Sequence, residues 1–208
     1  MIQPIVEGHG EVEAVPLMIR RLAELMGVPW VEVGKPIRRP RSDFLDEHKL
    51  ARAVELACLK PGCTAILALF DADDDCPKEV APGVAEWMDN VAAGRACSAV
   101  VPTKEFEAWF LASLPALHGQ RGITNISPLN RHPEGFRDAK GELERRMFKG
   151  RGYNERDDQP ALIQATDWSL VHEQTRSGKK LVKDVRRLLL SMGHEPNEWP
   201  EVECVEEP

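Results

Sequence analysis

The sequence predicts an α/β fold with a mostly parallel central sheet of about four strands, flanked by helices and followed by a helical C-terminal part. Three observations support this prediction. In the first half, short apolar runs alternate with segments of helical periodicity, as in strands joined by crossover helices. The run 64–70 is almost entirely apolar, which is typical of a central strand buried on both faces. After residue 117 the alternation stops and helical patterns dominate.

The first predicted strand covers residues 2–6, and a helix follows over about 11–26, where apolar residues recur every three or four positions until Gly27. Pro16 fits best in a first turn, so a start a few residues later is an alternative. A second strand is predicted at 30–33. A loop rich in Pro and Arg, a short helix around 50–57 and the buried strand 64–70 come next.

A helix over 78–93 and a strand over 98–101 continue the alternation, and Thr103 is a candidate N-cap for a helix that carries Phe106 and Trp109. A long loop is expected over 117–133, then helices near 138–148 and 159–165, and a last amphipathic helix that presents Leu181 and Leu188 on one face. We expect an α/β core over 1–116, a loop and helical extension packed on it over 117–195, and a poorly ordered acidic tail over 196–208.

The composition is that of a folded domain outside the membrane. Of 208 residues, 42% are hydrophobic and 29% charged, which excludes general disorder. The net charge of −7 means that a phosphate partner needs a local basic surface. The five cysteines contain no CxxC pair, so reduced thiols are expected rather than a disulfide scaffold or a zinc site. No stretch resembles a signal peptide or a membrane span, and we expect a cytoplasmic protein.

Two acidic clusters follow two predicted strands. Glu7 and Glu11 lie in the segment after the first strand, and Asp71 and Asp73 follow the buried strand 64–70. The carboxyl ends of parallel strands meet at one edge of a sheet, so these acids are expected to converge. In an extended segment, Asp71 and Asp73 point to the same side. Because crowded carboxylates repel one another unless a cation neutralises them, the pattern predicts a Mg²⁺ or Mn²⁺ site.

Glu105 and Glu107 follow the next predicted strand and lie at the same edge. On a helix, residues two apart point in different directions, so at most one of them faces the metal, and we favour Glu107. Each acidic cluster also has an ordinary alternative explanation. Acids after strands form turns and N-caps, and acids in a first helical turn interact favourably with the helix dipole.

A basic segment between the first two acidic clusters is a candidate nucleic-acid contact. Lys35, Arg38, Arg39 and Arg41 have no acid between them, and two prolines stiffen the segment. Such residues hold the phosphate backbone of a nucleic acid. A solvated loop is the alternative interpretation.

The same acids resemble a known group of proteins. Glu7-Gly8 after the first strand and Asp71-Ala72-Asp73 after a later central strand resemble the Toprim domain of topoisomerases, bacterial primases and overcoming-lysogenization-defect nucleases. The longer arrangement is closer to the Toprim-related uncharacterised domain family numbered 4276. It comprises Val6-Glu7-Gly8-x-x-Glu11, the Leu-Phe-Asp-Ala-Asp run, the segment Lys-Glu-Phe-Glu-Ala-Trp-Phe-Leu-Ala at 104–112 and Ile163-x-x-x-Asp167. This resemblance spans about residues 2 to 190.

The Toprim resemblance implies a role for each matched acid. Glu7 is implied to act as general acid or base, Asp71 and Asp73 to bind Mg²⁺, and Glu11 to be a secondary ligand. Other topoisomerase domains are missing and the sole tyrosine, Tyr153, lacks a recognisable nucleophile context, which argues against strand passage.

The leading functional hypothesis is a metal-dependent phosphodiester hydrolase of Toprim type that acts on nucleic acid. The resemblance also implies membership of a prokaryotic defence or mobile-element system with a separate ATPase as partner. Two alternatives stay open. One is a non-catalytic cation-binding module that docks on a partner protein, and the other is a hydrolase of small nucleotides.

Overall fold

The structure is a computed structural model and describes residues 1–200. It contains a four-stranded parallel sheet with helices on both faces and further helices at the C-terminus, which confirms the predicted α/β class. The strands are β1 (Ile2–Val6), β2 (Ile37–Arg38), β3 (Ala65–Leu69) and β4 (Ala96–Val100). The α-helices in this part of the chain are α1 (Glu11–Leu25), α2 (Arg41–Phe44), α3 (Glu47–Cys58), α4 (Pro77–Val91), α5 (Ala108–Ala112), α6 (Ala139–Arg145), α7 (Glu155–Ala165), α8 (Trp168–Gln174) and α9 (Arg176–Ser191). Two short 3₁₀ helices cover Leu114–Leu117 and Pro133–Gly135.

The strand order is β2-β1-β3-β4, and the three longer strands end level with one another. Val6 pairs with Leu69, and Leu69 pairs with Val100. The residues that follow these three positions therefore emerge at one edge of the sheet, here called the carboxyl edge.

The central strand β3 separates two hydrophobic cores. Ala65, Leu67 and Leu69 pack into the core that contains α1, α5, α7, α8 and α9, whereas Ile66 and Ala68 pack into the core that contains α2, α3 and α4. Both faces of β3 are buried, as its unbroken apolar sequence predicts. The C-terminal helices thus complete one of the two cores of the sheet.

The second strand lies later than predicted. The predicted strand 30–33 is wrong, because Val33 makes only an isolated bridge to Ile2 and the regular pairing occurs at β2. Proline explains the interruption. Pro36 and Pro4 have no N–H to donate, and the Gln3 side chain instead donates to the Lys35 carbonyl at 2.8 Å.

Helix boundaries also differ from the predictions in places. The helix α1 begins at Glu11 with Pro16 inside it, so the later start is not realised. Thr103 is not an N-cap, because residue 103 lies in a bend and α5 begins only at Ala108 with Glu107 at the N-cap. The helix α8 was not predicted, although its N-cap is a favourable one: the Asp167 side chain accepts from the N–H groups of Ser169 and Leu170.

The segment after α9 returns to the body of the protein. The N–H of Asn197 donates to the Met26 carbonyl at 2.8 Å, and Trp199 packs against the core and the His172 ring. The rest of the predicted acidic tail, 201–208, lies outside the described residues.

The four described cysteines, Cys58, Cys63, Cys76 and Cys97, are free thiols, as predicted, and Cys204 lies outside the described residues. Across residues 1–200, none of the helices has the length and apolar character needed to cross a bilayer.

Candidate metal centre

The first two predicted acidic clusters meet at the carboxyl edge. Glu7 follows β1, and Asp71 lies two residues beyond β3. The Glu7 carboxylate accepts a hydrogen bond from the Asp71 backbone N–H, with 3.3 Å between Oε2 and N. The parallel register of β1 and β3 therefore brings together two acids that are far apart in the sequence.

Glu11 reaches back from α1 into the same neighbourhood. It is the first residue of α1 and is only 3% exposed. Its Oε2 atom accepts hydrogen bonds from the backbone N–H groups of Glu7 and Gly8, at 3.0 and 2.9 Å. The turn after β1 thus fixes the position of the Glu11 carboxylate.

Glu107 comes to the cluster from the segment after β4, and its carboxylate is held by residues of the C-terminal half. The Tyr153 hydroxyl and the Gln159 amide both donate to Oε1, at 2.9 and 3.0 Å. Glu107 is 3% exposed. No local sequence pattern predicts that Tyr153 and Gln159 belong to this group, since packing of α7 on α1 brings them there.

Two oxygen atoms in this neighbourhood are buried without a hydrogen-bond donor in the described part of the chain. They are Oδ1 of Asp71 and Oε1 of Gln159. A buried acceptor without a partner is unfavourable by about 1–3 kcal/mol. A cation bound near Asp71 satisfies such an oxygen.

Burial and mutual repulsion disfavour the charged forms of these acids. Desolvation, and then the charges of Glu7 and Glu107, raise the pKa of Glu11 to about 8 against the opposing effect of two backbone N–H groups. Burial and the neighbouring acids also hold the pKa of Asp71 well above its ordinary value. The pKa of Glu7 and the pKa of Glu107 are raised as well, in both cases chiefly by burial. Groups with such raised pKa values cluster at functional sites.

Glu105 lies beside this group. Its Oε2 atom accepts the Lys140 backbone N–H at 2.8 Å, and burial is the main cause that raises its pKa. The Lys140 side chain pairs with Glu155, the first residue of α7. Of the two acids after β4, Glu107 is the more buried, and its charge helps to raise the pKa of both Glu11 and Asp71.

Asp73 is placed differently from the other acids. The expectation that Asp71 and Asp73 continue an extended segment is wrong, because Asp73 has a left-handed backbone with φ of +49°. Its side chain is 60% exposed and pairs with the Arg41 guanidinium at 3.1 Å. A metal-binding role for Asp73 stays a prediction.

The basic segment is only partly at the carboxyl edge. Arg38 pairs with Val6 and donates to the Glu7 carbonyl at 3.5 Å, and the Arg39 N–H donates to the Val6 carbonyl. Arg41 instead binds the loop after β3, donating to the carbonyls of Asp71 and Ala72. Lys35 lies two residues before β2, further from that edge. Nucleic-acid contacts by these residues stay a prediction.

The carboxylates lie near one another, but they are not arranged as a complete metal coordination sphere. Within residues 1–200, no three His, Cys, Asp or Glu side chains are arranged so as to hold a metal ion together. The donors nevertheless fit a hard divalent cation, because they are carboxylate oxygens and one of them, Asp71 Oδ1, is buried without a partner.

The whole arrangement lies within one matched family region. The family described as Domain of unknown function (DUF4276) matches residues 6–186. The chain belongs to the DUF4276 family. Every acid of the cluster, together with Tyr153 and Gln159, lies inside the DUF4276 region. Neither the curated proteins nor the solved structures contain a match to the chain.

Proposed function

We propose that this protein is a Mg²⁺- or Mn²⁺-dependent phosphodiester hydrolase of Toprim type, with nucleic acid as its substrate. The observation that supports this most is the gathering of Glu7, Glu11, Asp71 and Glu107 at the carboxyl edge with the orphaned Asp71 oxygen among them. Cation binding requires small side-chain rotations that bring at least two of these carboxylates onto the ion.

Each acid has a distinct place in the proposed chemistry. Asp71 and Glu11 would hold the cation, which supplies charge neutralisation for the attacked phosphodiester. Glu7 is half-buried, and burial raises its pKa, which makes it a better proton acceptor than an exposed glutamate, so it would pass a proton to or from a reacting oxygen. Tyr153 and Gln159 fix the Glu107 carboxylate, which would add a further negative group near the cation.

The experiment measures cleavage of single- and double-stranded DNA and RNA by the purified protein with Mn²⁺ or Mg²⁺. We expect cleavage by the native chain, and loss of at least about a hundredfold in rate for Asp71→Asn and for Glu7→Gln. The matched control is Glu13→Gln, an exposed acid in the first turn of α1, which should leave the rate unchanged.

Failure takes a recognisable form. If the native chain cleaves none of these substrates but is stabilised against heat by Mg²⁺, it is a cation-binding module and the hydrolase proposal is wrong. If it acts on free nucleotides alone, it is a small-nucleotide hydrolase.

A further inference from the structure

A groove on the β4 side of the carboxyl edge has the chemistry of a nucleotide site. It has a volume of about 830 Å³ and lies between the first turns of α4 and α9, next to the residues that follow β4. Ligand pockets typically measure about 300–1,000 Å³, so the groove accommodates a nucleotide unit.

The polar wall of the groove is cationic. Lys78, Arg176 and Lys180 line it, and all three are exposed. Lys180 also pairs with Asp184 at 2.5 Å, whereas within residues 1–200 neither Lys78 nor Arg176 takes part in a salt bridge. His132 lines it as well, and its Nδ1 atom accepts the Glu134 N–H, which leaves the proton of the neutral ring on Nε2 as a donor.

Among the described residues, a single carboxylate lines the groove, and it already accepts hydrogen bonds. Glu134 is 7% exposed and accepts hydrogen bonds from the Arg176 and Ser177 N–H groups and from the Ser177 hydroxyl. The Glu134 carboxylate is therefore neutralised in part by the N–H groups at the N-terminus of α9. The side chains of Lys78 and Arg176 remain available to an incoming anion.

Much of the remaining lining is apolar. Pro77 and Pro82, from the same helix as Lys78, offer accessible apolar surface, and the buried residues Ala81 and Val101 lie beneath them. A phosphate ion alone makes no use of such a surface, whereas a heterocyclic base packs on it. Two cations that have no acidic partner within residues 1–200, combined with accessible apolar surface, fit a phosphate joined to a base.

The groove is connected to the acidic cluster through two loops. The Ala72 and Asp73 N–H groups donate to the carbonyls of Pro102 and Lys104, at 3.1 and 3.0 Å. These bonds join the loop that carries Asp71 and Cys76 to the loop that carries Thr103, and Cys76 and Thr103 line the groove. A strand bound in the groove therefore extends along the same edge as the proposed reacting centre.

We infer that this groove binds an unpaired nucleotide of a single-stranded nucleic acid, with its phosphate on Lys78 and Arg176 and its base against Pro77 and Pro82. This inference rests on the proposed function, because that function makes the bound nucleic acid the substrate. A duplex is excluded from this site because its bases are enclosed within the stack and cannot reach the apolar surface.

The test measures binding in EDTA, where metal-dependent cleavage cannot occur. The probe is a short fluorescein-labelled single strand of DNA, and of RNA with the same sequence, followed by fluorescence anisotropy. We expect the double variant Lys78→Ala/Arg176→Ala to weaken binding at least about tenfold. The matched control, Lys179→Ala/Lys183→Ala, removes the same charge from a different surface groove of α9 and should bind like the native chain.

The DNA and RNA arms show which strand the groove prefers, and competition by unlabelled duplex should be weak. The inference is overturned if the groove variant binds the single strand as tightly as the native chain, or if the native chain does not bind it. It is also overturned if the control variant loses as much affinity as the groove variant, or if unlabelled duplex competes as well as unlabelled single strand. Groove-dependent binding without cleavage in Mn²⁺ would leave this inference standing and refute the hydrolase. If the groove variant cleaves the substrate with an unchanged KM, the groove is not the binding site, and the hydrolase proposal is unaffected.

Discussion

Burial favours the protonated form of the Glu11 carboxyl group in the folded protein, whereas the hydrated carboxylate is favoured in the unfolded chain. Burial among Glu7 and Glu107 raises its pKa from 4.5 to about 8. The two backbone N–H groups that bind its Oε2 position the side chain but do not overcome the loss of hydration. A divalent cation reverses this balance, because it favours the ionised form.

The pKa of Glu11 predicts how the stability of the metal-free protein depends on pH. Between about pH 5 and 8 the native state binds a proton that the unfolded state has released, so the free energy of unfolding falls as the pH rises. The variant Glu11→Gln mimics the protonated form and should lose about 10 °C less in Tm than the native chain over this interval. Differential scanning calorimetry in EDTA measures it.

The control for this prediction is Glu13→Gln, since Glu13 occupies the same turn but is exposed. It should keep the native pH dependence. The lowered pKa of His172, caused by burial and Lys179, acts in the opposite direction, but it is common to all three proteins and cancels in the comparison. Parallel curves for Glu11→Gln and the native chain would contradict the buried-acid account.

At the scale of elements, the contact between α1 and α7 builds the site. Gly10 precedes α1 and lies against the first turns of α7. A Cβ atom at this position would come within 3.0 Å of the Gln159 side chain and of the Glu155 backbone. A side chain larger than hydrogen at position 10 therefore forces the two helices apart and displaces the amide that holds Glu107.

We predict that Gly10→Ala lowers the free energy of unfolding by about 1–3 kcal/mol, because backbone atoms of Glu155 cannot move aside as a flexible side chain does. Urea denaturation measures the change. Gly83→Ala is the matched control. It lies inside α4 with nothing within 4 Å of the added Cβ, and it should stabilise by about 0.5–1 kcal/mol. Similar effects of the two substitutions would argue against close packing at Gly10.

The start of α7 depends on a buried acid. Asp158 is completely buried, pairs with Arg121 and Arg151, and accepts the Asn154 N–H at 2.8 Å. These contacts fix the turn that carries Tyr153. Asp158 is thus a positioning residue for Glu107 rather than part of the proposed reacting centre.

The variant Asp158→Asn should lower the free energy of unfolding by about 1–3 kcal/mol, less than for a fully buried pair because both arginines are partly exposed. Asp157→Asn, an exposed acid in the same helical turn, is the control and should change stability by less than about 0.5 kcal/mol. Urea denaturation of both variants checks this. An unchanged midpoint for Asp158→Asn would show that the arginine pairs do not stabilise the turn.

At the scale of the whole molecule, the sequence predicts the features that depend on local patterns of apolar and acidic residues. The parallel sheet follows from the apolar runs of β1 and β3, and the meeting of Glu7 with Asp71 follows from the shared carboxyl edge. The extended geometry predicted for residues 71–73 is wrong, because Asp73 has a left-handed backbone.

The sequence does not predict contacts between segments that are far apart in the chain. Tyr153 and Gln159 belong to the site only because α7 packs on α1, and no local pattern specifies which helices meet. The true position of β2 was also missed, since two residues of pairing at a sheet edge leave too short a pattern to recognise. Proline at positions 4 and 36 decides the pairing through missing N–H groups.

We propose above all that these distant carboxylates bind one divalent cation. The most direct measurement is an anomalous difference map from a crystal of the protein grown with Mn²⁺. We predict a manganese peak within about 2.5 Å of an Asp71 carboxylate oxygen and of at least one oxygen of Glu7 or Glu11. Manganese bound elsewhere on the molecule, with no peak beside Asp71, would contradict the account.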